Sequence, residues 1–121
     1  MIVVVGAVAV VGERVLMARR GPGSYEGLWE FPGGKVEPGE DERQALAREL
    51  AEELGVEAAV GAYLATGDDG RVELRCYLVR LQGVPQALEH SELAWIPLSE
   101  LENLPVPPAD LAAVHALLSG G

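Results

Sequence analysis

Residues 34–56 read GKVEPGEDERQALARELAEELGV, and their local physics places a helix with an acidic face near the centre of the chain. Asp41 is a good N-cap, and Gln44 three residues later completes a capping-box pattern. From Glu42 to Leu54 there is no Gly, Pro or β-branched residue, which is strong helix composition. Gly55 stands where a glycine in the left-handed conformation ends a helix. Leu46, Leu50 and Leu54 recur every four residues with Ala47 and Ala51 nearby, so one stripe faces a core. Glu49, Glu52 and Glu53 fall at i, i+3 and i+4, on an adjacent stripe.

Carboxylates this close repel one another, at a cost of about 0.2–0.5 kcal/mol per pair. A hard divalent cation offsets that cost, because Mg²⁺ takes oxygen ligands, keeps several waters and is completed by substrate phosphates. The alternative is a solvated acidic face balanced by Arg43 and Arg48. Ahead of the helix lie Phe31-Pro32-Gly33-Gly34 and Glu37-Pro38-Gly39-Glu40. Paired glycines permit close backbone approaches, so a carbonyl there could reach a metal, whereas Pro38-Gly39 reads as an ordinary turn.

The stretch also fits G-x5-E-x7-R-E-U-x-E-E-x-G-U, with U a bulky aliphatic residue. Gly34, Glu40, Arg48, Glu49, Leu50, Glu52, Glu53, Gly55 and Val56 occupy the fixed positions. This is the Nudix box, and the chain resembles the Nudix hydrolases. The resemblance implies an α/β/α sandwich, a mixed β-sheet between helices. It implies that Glu49, Glu52 and Glu53 carry Mg²⁺, or Mn²⁺ in its place. It adds the Gly33 carbonyl to the ligands, gives Arg48 the task of orienting the glutamates, and puts Glu40 at the edge of the site. Leu50 and Val56 become core residues.

Composition bounds the rest. The 121 residues suffice for one domain, 1–121, with a real core. Lys and Arg number 9 against 19 Asp and Glu, a formal net charge of −10. That charge argues against nonspecific binding to nucleic acid or anionic membranes, and requires a metal and local arginines to receive a nucleotide's phosphates. The single Cys76 cannot form an intrachain disulfide, which suits a reducing cytoplasm. Residues 1–11 are apolar but lack a basic leader and are too short to span a bilayer. Monomer and homodimer both remain open.

The expected path begins with strands near 2–10 and 14–19, read as a hairpin of two buried strands, and a loop over 21–27. After the helix at 42–54 come strands near 58–66 and 71–81, joined by the turn Gly67-Asp68-Asp69-Gly70. A loop covers 82–91 and a strand covers 92–97. Ser99-Glu100-Leu101-Glu102 reads as a second capping box, and a last helix covers 109–118.

The flanks narrow the resemblance. Residues 27–37, GLWEFPGGKVE, look like the MutT branch of the family, which hydrolyses nucleoside triphosphates, and especially like its bacterial CTP pyrophosphohydrolase group. Residues 89–95, EHSELAW, and 107–111, PPADL, are similar to the same group. A loop glutamate six residues before the tryptophan serves that branch as an extra metal ligand and base, which here is Glu89, with Glu92 as its stand-in. Asp110 stands where the group contacts the base, and an ionised Asp could accept from cytosine N4. It could instead be a first-turn acid stabilising the helix dipole. Arg20 and Arg71 are candidates for phosphate or sugar contacts, or are surface arginines. Trp29 and Trp95 stack on a base or pack in the core. His90 reads as a loop residue. The resemblance implies water attack on a triphosphate, with Glu53 or Glu89 accepting the proton, to give monophosphate and pyrophosphate. Cytosine-type triphosphates lead the expected substrates, followed by 8-oxo-dGTP, in cleansing the nucleotide pool. Another Nudix activity, such as ADP-ribose hydrolysis, and a non-catalytic nucleotide-binding role are the alternatives.

Overall fold

A computed structural model describes residues 1–119. Its centre is a mixed four-stranded sheet ordered β5-β1-β7-β6, built from β1 (Ile2–Val8), β5 (Gly33–Lys35), β6 (Glu57–Asp68) and β7 (Val72–Gln82). β1 runs parallel to β7, while β5 and β6 pair antiparallel with their neighbours. A second sheet gathers around β3 (Arg14–Arg19). β8 (Glu92–Pro97), β2 (Val10–Val11) and β4 (Trp29–Glu30) each pair with β3 antiparallel. The chain therefore crosses between sheets at Ala9, and again at Phe31-Pro32.

Alternation along the strands builds a core on each face. Val5, Ala7, Ala9 and Leu16 turn toward α1 (Glu42–Leu54), where they meet Ala45, Leu46, Leu50, Leu54 and Val56. Val8, Val15, Met17, Leu74 and Cys76 turn the other way, toward Leu101 and α3 (Leu111–Leu118) with its Ala113 and Val114. The period-two alternation of β1 thus supplies both layers. A sheet with helices over both faces is the α/β/α arrangement that the resemblance implies. Burying Leu46, Leu50 and Leu54 contributes roughly 1.5–3 kcal/mol each, since all three are fully buried. The α1 start is as read: Asp41 Oδ1 accepts from the Gln44 N–H at 2.8 Å, and Gln44 Oε1 accepts from the Asp41 N–H at 3.0 Å. Gly55 closes the helix at φ 67°.

Several expectations give way to tertiary effects. Residues 2–10 are not one strand paired with 14–19. β1 lies in the central sheet and only β2 makes the hairpin with β3, extended by the Leu16 N–H donating to the Ala9 carbonyl at 3.0 Å. Gly67 belongs to β6 and not to the turn. A Cβ there would lie 2.3 Å from the Ala109 carbonyl oxygen, so this glycine admits a close approach. The turn glycine is Gly70, at φ 90°. The second capping box does not form. α2 (Leu98–Leu101) begins before Ser99, with Pro97 as its N-cap and no side-chain cap bond. The Leu98 N–H donating to the Glu13 carbonyl at 2.8 Å fixes that start. The last helix is α3 preceded by a 3₁₀ turn, Pro108–Asp110. Trp29 and Trp95 are half-buried and pack against the two cores. No helix among the described residues is long and apolar enough to cross a membrane.

Candidate active site

The acidic stripe of α1 lies beside β5, and two glycines make that contact possible. A Cβ on Gly33 would stand 1.9 Å from the Val5 carbonyl oxygen, and one on Gly34 would stand 2.2 Å from the Glu49 carboxyl carbon. The Gly33 N–H donates to Glu53 Oε1 at 3.0 Å, tying the strand to the helix. Glu53 is 8% exposed, the one buried glutamate among the described residues. Burial, with the charges of Glu49, Glu30 and Glu89, pushes its carboxyl up to about 8 against the pull of the Gly33 N–H. The Glu49 carboxyl is raised by burial and lowered in turn by Arg48.

Arg48 holds the outer carboxylates. Its guanidinium grips Glu40 bidentately, with Nε to Oε2 at 2.7 Å and Nη2 to Oε1 at 2.9 Å. Nη1 donates to Glu49 at 3.0 Å and reaches Glu52 at 3.3 Å, while Nη2 also donates to the Lys35 carbonyl at 3.1 Å. These bonds are charge-assisted, and Arg48 holds the Glu40 carboxyl below its usual range. Glu40 is thus the main partner of Arg48.

All the donors around this stripe are oxygens, the set that a hard divalent cation prefers. Among the described residues, no three His, Cys, Asp or Glu side chains converge closely enough to hold a metal. Glu52 is half exposed and drawn toward Arg48. The donor set fits the cation in kind: a carboxyl raised first by burial and then by three neighbouring carboxylates is a place where positive charge is favourable.

Glu89 is in an exposed loop whose Leu88 N–H donates to the Glu53 carbonyl at 3.1 Å. Its charge reaches both Glu49 and Glu53. Asp110, 4% exposed, does not cap α3: its Oδ2 accepts from the Phe31 N–H at 3.0 Å, which joins the last helix to the strand leading into β5. Burial first, and Glu30 next among the raising influences, push its carboxyl up to about 7; the Phe31 N–H and Arg20 oppose them. Arg20 donates to Glu30 Oε1 at 2.7 Å and to the Ser24 carbonyl at 2.8 Å. Arg71 is exposed at the β6–β7 turn; its side chain makes no hydrogen bond among the described residues.

One residue of this region, Glu30, escapes a sequence reading. Glu30 links Arg20 to His90, whose Nε2 lies 2.8 Å from Glu30 Oε2. His90 lies in the loop as read, but its side chain is buried. The available signal was a lone acid between Trp29 and Phe31 on an otherwise apolar strand. Tyr25 adopts φ 57°, and its hydroxyl donates to Asp69 Oδ2 at 3.0 Å, linking the 21–27 loop to the β6–β7 turn.

The Asp110 carboxyl gives a pH prediction. Its folded value near 7 exceeds the ordinary 3.8, so this acid contributes most stability while it stays protonated. That stability is full below about pH 4 and is lost as pH rises through about 7. Asp110→Asn keeps an acceptor for the Phe31 N–H and removes the ionisation. Its stability relative to wild type should rise by about 2–4 kcal/mol between pH 4 and pH 8. Urea melts at both pH values measure this, and a constant difference would refute the buried acid.

A mixed sheet between helices, with a glutamate-bearing helix seated on a Gly-Gly strand, defines the class: a Nudix fold with its box intact. The NUDIX domain family model matches residues 2–117, and the chain belongs to the Nudix hydrolase family. It is 44% identical to the CTP pyrophosphohydrolase of Escherichia coli (strain K12), over 98% of this chain and 93% of that protein. It is 49% identical to the putative 8-oxo-dGTP diphosphatase 2 of Mycobacterium tuberculosis, over 90% of this chain and 82% of the relative. Among solved structures, the solution structure of the E. coli ORF135 protein superposes with a TM-score of 0.84 at 40% identity, covering 98% of this chain and 89% of that one.

Proposed function

We propose that this Nudix hydrolase is a divalent-cation-dependent nucleoside triphosphate pyrophosphohydrolase, acting on cytosine-type triphosphates ahead of 8-oxo-dGTP in nucleotide-pool sanitation. The observation that carries this reading is near-full-length similarity to a CTP pyrophosphohydrolase, joined to the oxygen-donor face of α1.

Glu49, Glu52, Glu53 and the Gly33 carbonyl would hold Mg²⁺, or Mn²⁺ in its place, with Glu89 closing over from its loop. Such an ion, once bound, neutralises phosphate oxygens and acidifies a bound water. Arg48 keeps Glu49 and Glu52 facing the phosphates. Glu53 or Glu89 takes the proton from the water that attacks phosphorus, and the P–O bond to the departing pyrophosphate breaks to leave a nucleoside monophosphate. Arg20 and Arg71 meet phosphate or sugar oxygens. Asp110 receives the base, accepting from an exocyclic amine when ionised and donating when protonated.

The test is a panel of canonical NTPs and dNTPs, 5-methyl-dCTP, 8-oxo-dGTP and ADP-ribose, incubated with protein and Mg²⁺ and resolved by chromatography. A triphosphate should give monophosphate and pyrophosphate, with a cytosine-type base best. Asp110→Ala should reorder the bases. Preference for ADP-ribose would overturn the reading, and inactivity across the panel would favour a binding protein.

A further inference from the structure

The loop between β7 and β8 is exposed almost throughout; Val84 is 82% and Leu88 55% exposed. The His90 side chain, by contrast, is only 7% exposed. An apolar residue would plug that position without polar cost. The imidazole instead makes one hydrogen bond among the described residues, Nε2 to Glu30 Oε2 at 2.8 Å, and leaves buried Nδ1 without a partner. Because a carboxylate only accepts, Nε2 carries the proton. A stranded buried nitrogen is costly and calls for a reason.

Glu30 supplies the reason. Each of its carboxylate oxygens has its own donor, Arg20 on Oε1 at 2.7 Å and His90 on Oε2. Two donors on separate oxygens fix the rotation of the group as well as its place. Glu30 is also close enough to Glu53 and Asp110 for its charge to raise both carboxyls. It therefore stands where the glutamate cluster meets the acid proposed to receive the base. His90 adjoins Glu89 in sequence, in a loop that is also tied to α1 by the Leu88 N–H on the Glu53 carbonyl at 3.1 Å.

We infer that His90 is a positioning residue: its Nε2–H fixes the Glu30 carboxylate at the junction of the glutamate cluster and Asp110, and the same bond seats the loop bearing Glu89. The inference rests on the triphosphate hydrolase reading above. His90 need not touch substrate; it acts through Glu30.

A double-mutant cycle between His90 and Glu30 tests this, scored by kcat/KM on the best triphosphate and by calorimetric affinity for its monophosphate product in EDTA. His90→Leu keeps the plug and loses the bond; kcat/KM should fall about tenfold to a hundredfold, with product affinity falling in parallel. His90→Asn, too short to reach Glu30, should fall equally and keeps the test open if the leucine variant does not fold. His90→Gln carries an N–H to a similar reach and should recover most of the loss. In a Glu30→Ala background the leucine change should cost less than about twofold, since coupled sites are not additive. Wild-type activity in His90→Leu or His90→Asn, or an equal loss with and without Glu30, would overturn the inference alone. A wild-type chain inactive on every triphosphate would overturn the underlying reading, and the inference with it.

Discussion

Glu53→Gln should lose turnover by on the order of 10³-fold or more while remaining folded, because one side chain carries two proposed tasks, metal ligand and proton acceptor. The substitution is nearly isosteric. The amide oxygen can still accept from the Gly33 N–H, so the bond between α1 and β5 survives. The amide cannot ionise, and it is a poorer ligand for a hard cation. The stability change carries the opposite sign. The folded Glu53 carboxyl titrates near 8, above its ordinary 4.5. Its contribution is full below about pH 4.5 and is lost as pH rises through about 8. Without added metal, the glutamine variant should therefore melt at or above the wild-type temperature at pH 8. Mg²⁺ should raise the wild-type melting temperature and leave the variant nearly unmoved, since a ligand stabilises only the state that binds it. Thermal melts with and without Mg²⁺, beside a turnover assay, make the comparison. Activity within tenfold of wild type would remove Glu53 from the centre of the site.

Legibility in the sequence followed the range of the interactions. α1 was readable to the residue because its determinants are local: the Asp41 cap, the unbroken helix composition and Gly55 at the end. The strand at 92–97 was readable for a similar reason, being preceded by loop residues and ending on Pro97. β4 and β5 were not, since at two and three residues they carry no periodicity and exist through the partners they find on β3 and β1. Ser99 failed as a cap because a contact with Glu13, far away in sequence, set the helix start first. The site divides the same way. Glu49, Glu52, Glu53, Arg48 and Gly33 come from one contiguous stretch, and Arg48 and the Gly33 N–H bond directly to those glutamates. The Glu30–His90 pair spans 60 positions, and no local pattern announces it. Only the resemblance points to Asp110; its burial against the Phe31 N–H follows from the packing of the last turn.

Gly33 and Gly34 are adjacent, yet replacing each by alanine should produce different failures. A Cβ on Gly33 would meet backbone: the Val5 oxygen at 1.9 Å, the Val5 carbon at 2.8 Å and the Gly6 Cα at 2.9 Å. None of these atoms can rotate away, and Gly6↔Gly33 is a paired position of β1 and β5. Relief requires the two strands to separate, which unseats the Glu53 anchor on the Gly33 N–H as well. The cost should be about 4 kcal/mol or more, at the upper end for a point substitution. Against a total stability of about 5–15 kcal/mol, that is enough to lower the urea midpoint sharply and to populate unfolded chains. The atoms nearest a Cβ on Gly34 would be those of the Glu49 carboxylate, 2.2–2.5 Å away. That group is the end of a flexible side chain, so it can swing aside at a cost of about 1–2 kcal/mol. Swinging breaks the 3.0 Å bond from Arg48 and carries Glu49 away from Glu53. Gly34→Ala should therefore fold and fall about a hundredfold in kcat, as a misplaced catalytic group does, whereas Gly33→Ala should fail by unfolding. Urea melts separate the two cases. Equal stability of both variants would mean that the strand at β5 is not packed against β1 as closely as the backbone contacts require.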